Sequence, residues 1–244
     1  MKQLFDFPLI QTLLNRSDFK MIFDAMHGVA GPYAKAIFGQ ELGNKAILKD
    51  CEPKPDFAGH HPDPNLSCGK ELVELMGYET GKKSEFDFGA ACDGDADRNM
   101  ILGKAFFVTP SDSLALLVSL SHYFLKSPLK GVARSMPTSG AVDKVANKLG
   151  IKLYETPTGW KFFGNLMEED LIGMCGEESF GTGSPHVREK DGIWTILAWL
   201  QVLARTNEGI PEGKLISVED LLKELWTTYG RNYYTRYDYE SIPK

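Results

Sequence analysis

Three carboxylates at alternate positions, followed directly by an arginine, make Cys92-Asp93-Gly94-Asp95-Ala96-Asp97-Arg98 the stretch best equipped for chemistry. In an extended loop, alternate side chains face the same way, so Asp93, Asp95 and Asp97 converge on one point. Three like charges that close repel unless a cation sits among them. Hard oxygen donors select Mg²⁺ or Ca²⁺ over zinc or copper. Arg98 cannot bind that cation but can hold an anion beside it, which describes a phosphate-handling site. An EF-hand loop is excluded: Arg98 stands where that loop needs glycine, and Lys104 where it needs glutamate. The catalytic alternative is a phosphatase-like D-x-D loop with Asp93 as nucleophile. The plain alternative is a solvated acidic turn, against which stand three carboxylates on one side between apolar flanks.

Three further stretches carry candidate groups. Residues 156–161 (TPTGWK) place Gly159 where a backbone turns or approaches something closely, with the Thr158 hydroxyl and the Trp160 face beside it. That suits a sugar, and equally a turn with a core tryptophan. Residues 175–183 (CGEESFGTG) set Glu177 and Ser179 just past a strand end, where a carboxylate and a hydroxyl could bind adjacent sugar hydroxyls; a flexible turn is the rival. The glycine spacing matches neither G-x-G-x-x-G nor a P-loop, so it is no nucleotide fingerprint. Residues 186–191 (HVREKD) offer Arg188 and Lys190 as anion ligands and Asp191 as a helix cap, although a solvated helix start is the commoner origin of such a run. His60-His61 reads as a turn, and Ser121-His122 lacks an orienting acid for a hydrolase triad.

The elements that must position these residues alternate between strand and helix. The pattern predicts strands at 21–25, 86–92, 99–102, 132–136, 151–155 and 171–175. It predicts helices from Gly31-Pro32 to Leu42 with Gly43 as the C-terminal cap, over 66–76, from a Ser111 cap to Leu125, from a Ser139 cap to Leu149, over 191–205 and over 217–229. Residues 206–214 read as an exposed loop and 233–239 as an aromatic-rich strand. The fold class is therefore α/β: two consecutive domains, each a mixed sheet flanked by helices, over 1–109 and 110–215. Residues 216–244 read as a linker and the start of something further. The aspartate run falls on a tight connection between two buried strands, a place where loops carry function.

Bulk properties narrow the class. The 244 residues carry a net charge of −6 with no basic, aromatic-interleaved stripe, which argues against a nucleic-acid binder. No apolar run reaches the roughly 18 residues of a membrane span, and the N-terminus has no signal-peptide core. Cys51, Cys68, Cys92 and Cys175 are scattered, which suits reduced thiols in a cytoplasmic protein.

Four motifs together resemble the α-D-phosphohexomutase family in its phosphoglucomutase branch: FDAMHGVAGPY (23–33), DGDADRNMILG (93–103), TPTGWKFFGNLM (156–167) and GEESFGTGSPHVREKDGIW (176–194). The resemblance runs essentially the whole length of the chain. It implies a four-domain protein of which this chain resembles the second and third domains, the first and fourth being their partners. It implies that Asp93, Asp95 and Asp97 hold one Mg²⁺ with Arg98 contacting phosphate, and that a further metal ligand comes from a serine phosphate elsewhere. Thr158 and Gly159 would sense which way round the hexose phosphate lies, Glu177 and Ser179 would bind its hydroxyls, and Lys190 would assist near the phosphosugar. The implied reaction interconverts glucose 1-phosphate and glucose 6-phosphate through glucose 1,6-bisphosphate and a phosphoserine. The serine-bearing T-A-S-H-N-P loop is not in these residues, so the isolated chain is expected to be inactive. The alternative within the same resemblance is a non-catalytic scaffold or adhesion-associated binding protein. Ala96 stands where some relatives carry glycine.

Overall fold

The computed structural model describes residues 1–235 and 237. Met21–Asp24 (β1) and Phe88–Cys92 (β3) are buried along their whole length, so their apolar runs form the middle of a sheet covered on both faces. Ile47–Lys49 (β2) pairs parallel with β1, and β1 parallel with β3. Asn99–Gly103 (β4) and Phe106–Val108 (β5) then return antiparallel, giving a mixed sheet of order β2-β1-β3-β4-β5. A second mixed sheet, of order β7-β6-β8-β9, is built from Gly131–Ser135 (β6), Lys152–Thr156 (β7), Met174–Gly176 (β8) and Thr182–Gly183 (β9). In it β7 and β8 flank β6 in parallel and β9 runs antiparallel to β8. The expected α/β class with two mixed sheets is the architecture found.

Helices fill the space around these sheets: Phe7–Leu14 (α1), Ala30–Ala34 (α2), Lys70–Leu75 (α3), Pro110–Ser119 (α4), Ala141–Leu149 (α5), Trp160–Glu168 (α6), Gly192–Thr206 (α7) and Val218–Tyr229 (α8). Every residue of α7 from Gly192 to Ala204 is buried, which explains a helix that reads apolar all round. Trp194 and Trp199 are anchors within it, and Trp199 Nε1 donates to Ser113 Oγ at 2.8 Å. One hydrophobic cluster runs from Phe23 and Phe88 of the first sheet through α7 to Val132 of the second sheet and Leu222 of α8. Residues 218–229 of the expected linker thus belong to the core: α8 buries Leu221, Leu222 and Leu225, and Trp226 Nε1 reaches Asp112 Oδ2.

Several local expectations are corrected. Thr109 caps α4, not Ser111: its Oγ1 accepts from the Asp112 N–H at 3.2 Å, with Pro110 in the first turn where a missing N–H is harmless. That helix ends at Ser119, and a short 3-10 turn, Ser121–Tyr123, follows it. Gly140 occupies the cap position of α5, with Ser139 one residue outside. Beyond α2 the chain continues as a π-helical stretch, Lys35–Glu41, before Gly43 turns at φ +87°. The strand foreseen at 171–175 begins at Met174. No strand forms at 233–235, and the rest of the one expected over 233–239 falls at or beyond the edge of the described residues.

Candidate functional site

The aspartate loop joins β3 to β4, but its carboxylates converge by a different route from the extended one expected. The backbone folds into a tight turn in which the Ala96 N–H donates to Asp93 O and Ala96 itself adopts φ +66°. One carboxylate oxygen from each of Asp93, Asp95 and Asp97 lies within 4.8 Å of the others. Such a set of hard oxygen donors fits Mg²⁺ better than a softer metal. Backbones press against the turn. A side-chain carbon on Gly28 would lie 2.7 Å from Gly94 O, and one on Gly192 would lie 2.6 Å from Arg98 O. These two glycines let the loop after β1 and the start of α7 close on the turn, and the Gly192 N–H donates to Ala96 O at 3.0 Å.

Arg98 is fixed by two carboxylates. Its backbone N–H donates to Asp93 Oδ1 at 3.0 Å and its Nε to Asp93 Oδ2 at 2.7 Å, while Nη1 reaches Asp63 Oδ1 at 2.9 Å. Asp63 was missed as a site residue, because the HHPD sequence reads as a turn. Its signal is the neighbouring Pro62, whose carbonyl accepts from the Gly94 N–H at 3.3 Å. Burial raises the Asp93 carboxyl to about 6, against the pull of the Arg98 N–H and guanidinium.

The second sheet's loop meets this one edge to edge. An antiparallel bridge pairs Arg98 with Gly181, and the Asn99 N–H donates to Phe180 O at 2.9 Å. Glu177, 7% exposed, follows β8, and its N–H donates to Gly181 O. Lys190 Nζ lies 2.8 Å from Asp97 Oδ2 and 3.4 Å from Glu177 Oε1. Burial pushes the Glu177 carboxyl up and Lys190 restrains it; burial also pulls Lys190 down, but its two carboxylates outweigh that and raise it. Ser179 and Arg98 share a cavity of ≈ 1120 Å³.

The other sequence candidates disperse. Thr158 is exposed on the loop after β7 and Gly159 turns there at φ +128°. The half-buried Trp160 indole packs edge-on to Phe163 at 5.0 Å and donates to Arg188 O at 3.2 Å. Arg188 pairs with Glu168. Asp191 caps α7, its Oδ1 accepting from the Trp194 N–H at 2.9 Å. His186 bridges Ser184 and Asp191, and all four cysteines are free thiols.

A turn of three converging carboxylates beside a fixed arginine, on one of two mixed α/β sheets, defines a class of α/β protein equipped to hold a divalent cation next to an anion. The chain belongs to the phosphoglucomutase/phosphomannomutase family: residues 2–105 match its alpha/beta/alpha domain II and residues 111–229 its alpha/beta/alpha domain III. It is 59% identical over 99% of its length to phosphoglucomutase-2 of Paramecium tetraurelia, covering 42% of that protein. It is 58% identical over 99% of its length to a probable cytoplasmic phosphoglucomutase 1 of Arabidopsis thaliana, covering 43%. The crystal structure of the Paramecium exocytosis-sensitive phosphoprotein pp63/parafusin, a phosphoglucomutase in its open form, superposes with a TM-score of 0.92 at 58% identity, over 95% of this chain and 41% of that one. The chain thus spans less than half the length of the relatives it matches. Among the described residues no helix is long and apolar enough to cross a membrane.

Proposed function

We propose that this chain supplies the metal-binding and sugar-binding walls of a phosphoglucomutase, which interconverts glucose 1-phosphate and glucose 6-phosphate. The observation that carries the proposal is the joining of the Asp93–Asp97 turn to the Glu177 loop through the Arg98–Gly181 bridge and the Asp97–Lys190–Glu177 ion pairs. Residues 1–109 carry the first wall and 110–215 the second. Asp93, Asp95 and Asp97 would hold one Mg²⁺, which when bound neutralises charge at the transferring phosphoryl group.

The chain's own residues define the rest. Arg98, its Nε and Nη1 engaged by Asp93 and Asp63, retains Nη2 for a phosphate oxygen and lines the cavity where that oxygen would lie. Glu177 and Ser179 bind sugar hydroxyls, Lys190 assists at the phosphosugar, and Thr158 and Gly159 read which end of the sugar faces inward. Because the two phosphates of glucose 1,6-bisphosphate exchange ends between half-reactions, hydroxyl recognition must tolerate two orientations. Paired carboxylate and hydroxyl acceptors can do so. A phosphoserine outside these residues donates and recovers the phosphoryl group. The protein works in the cytoplasm, the compartment given in the names of its Arabidopsis thaliana and Solanum tuberosum relatives. Intact carboxylates at all three metal positions weigh against a non-catalytic scaffold.

The test is a coupled mutase assay with glucose 1-phosphate, Mg²⁺ and a trace of glucose 1,6-bisphosphate. The full-length protein carrying this chain should turn over, and a polypeptide of residues 1–244 should not. Activity from 1–244 alone would overturn the division of labour, and an inactive full-length protein would overturn the function.

A further inference from the structure

The sheet order β7-β6-β8 sets the end of β6 between the loop bearing Thr158 and Gly159 and the loop bearing Glu177 and Ser179. Open α/β sheets bind ligands in the crevice outside the carboxyl ends of such strands. At this middle strand end Ser135, fully buried, and Thr138, 4% exposed, close a hydrogen-bonded ring on Glu178. The two hydroxyl oxygens are 2.7 Å apart, and Ser135 Oγ donates to Glu178 Oε2 at 3.1 Å. The Glu178 N–H donates to Thr138 Oγ1 at 2.9 Å. With Thr138 donating to Ser135, each hydroxyl donates once and accepts once; Thr138 Oγ1 also stands 3.4 Å from the same carboxylate oxygen.

The turn that carries Thr138 is anchored in its own right. Its N–H donates to Ser135 O, the Met136 N–H to Thr156 O and the Ser139 N–H to Ser111 Oγ. Thr156, the register partner of Ser135, is different: its hydroxyl is buried without a hydrogen-bond partner among the described residues. A hydroxyl at this edge of the sheet is therefore not drawn into a ring simply by being there.

We propose that Ser135 and Thr138 are positioning residues for the sugar-binding loop. Three successive residues are dealt with separately. Glu177 is tied to Gly181 and Lys190 on one side. Glu178 is captured at both its N–H and its carboxylate by the β6 side. Ser179 lines the ≈ 1120 Å³ cavity with Arg98 and Glu178 and is left to face the ligand. The ligand class is the hexose phosphate of the function proposed above, on which this inference rests. Glu178 also lines that cavity, and its two bonds to the β6 side set the angle at which its neighbours are presented.

The experiment compares steady-state kinetics of the full-length protein with its Thr138→Val and Thr138→Ser variants. Losing the only hydroxyl that both accepts from Glu178 N–H and completes the ring should raise KM for glucose 1-phosphate about tenfold, with kcat within about threefold, and serine should restore the parent value. Cation binding at the aspartate turn should not change. A parent-like KM in Thr138→Val, or equal impairment in Thr138→Ser, would overturn the inference while leaving the mutase function standing; an inactive parent would overturn both. Should Thr138→Val fail to fold, Glu178→Gln, which keeps the shape but weakens the acceptor, carries the same KM expectation and the same refutation.

Discussion

Lys190 Nζ sits 2.8 Å from Asp97 Oδ2, an ion pair formed between the segment leading into α7 and the turn between β3 and β4. With Arg98 holding both oxygens of Asp93, two of the three converging carboxylates already have a cationic partner. A divalent ion entering the turn must therefore displace or share with Lys190. Its release would free an ammonium beside the phosphosugar, which couples the two roles proposed for this corner of the site.

Replacing Lys190 with methionine removes that competitor while keeping the aliphatic stem. At this separation and under high dielectric the change is on the order of 1 kcal/mol, or about a fivefold tightening of Mn²⁺ binding at low salt. Isothermal titration of residues 1–244 measures it. Equal or weaker binding in Lys190→Met would show that the pair does not stand in the ion's way.

Ala96 occupies a left-handed conformation at φ +66°, which disfavours any residue with a Cβ. Ala96→Gly should relieve roughly 1 kcal/mol of strain, partly offset by the freer unfolded chain, for a net gain of about 0.5 kcal/mol in denaturant unfolding. A loss of stability would mean that the alanine methyl packs usefully enough to outweigh its backbone.

This position also marks how far the sequence could be read. The convergence of Asp93, Asp95 and Asp97 was legible from residue type and spacing, because like charges at that density need a cation. The route was not, since an alternating run looks the same in an extended loop and in a turn with one left-handed residue. The long apolar pattern of α7 announced a buried helix. The two-residue β9, with too few side chains for any period, announced nothing. Choosing Ser111 over Thr109 as a cap failed because Pro110 already begins the helix, which moves the cap one residue back. Asp63 and the Ser135–Thr138 turn were hidden for another reason: their importance lies in partners 35 and 40 residues away in the chain.

The capping box at the start of α8 gives a pH dependence. Ser217 Oγ accepts from the Asp220 N–H, and Asp220 Oδ2 accepts from the Ser217 N–H and hydroxyl. These bonds lower the Asp220 carboxyl below its ordinary range, the Ser217 hydroxyl contributing most. A depressed folded-state value means that stability is present above the unfolded value of 3.8 and is lost as pH falls through the folded one. Ser217→Ala should therefore cost about 1 kcal/mol near neutral pH and less near pH 2. Chemical denaturation at the two pH values checks it, and a cost independent of pH would contradict the reciprocal cap.

The proposed function requires the turn between β3 and β4 to be a cation site. Electron paramagnetic resonance of Mn²⁺ titrated into residues 1–244 tests this without any turnover. One ion per chain should bind saturably, Mg²⁺ should displace it, and Asp95→Asn should weaken it at least about tenfold by removing one of three charged ligands. Absence of saturable binding, or binding that survives exchange of all three aspartates for asparagine, would contradict the account.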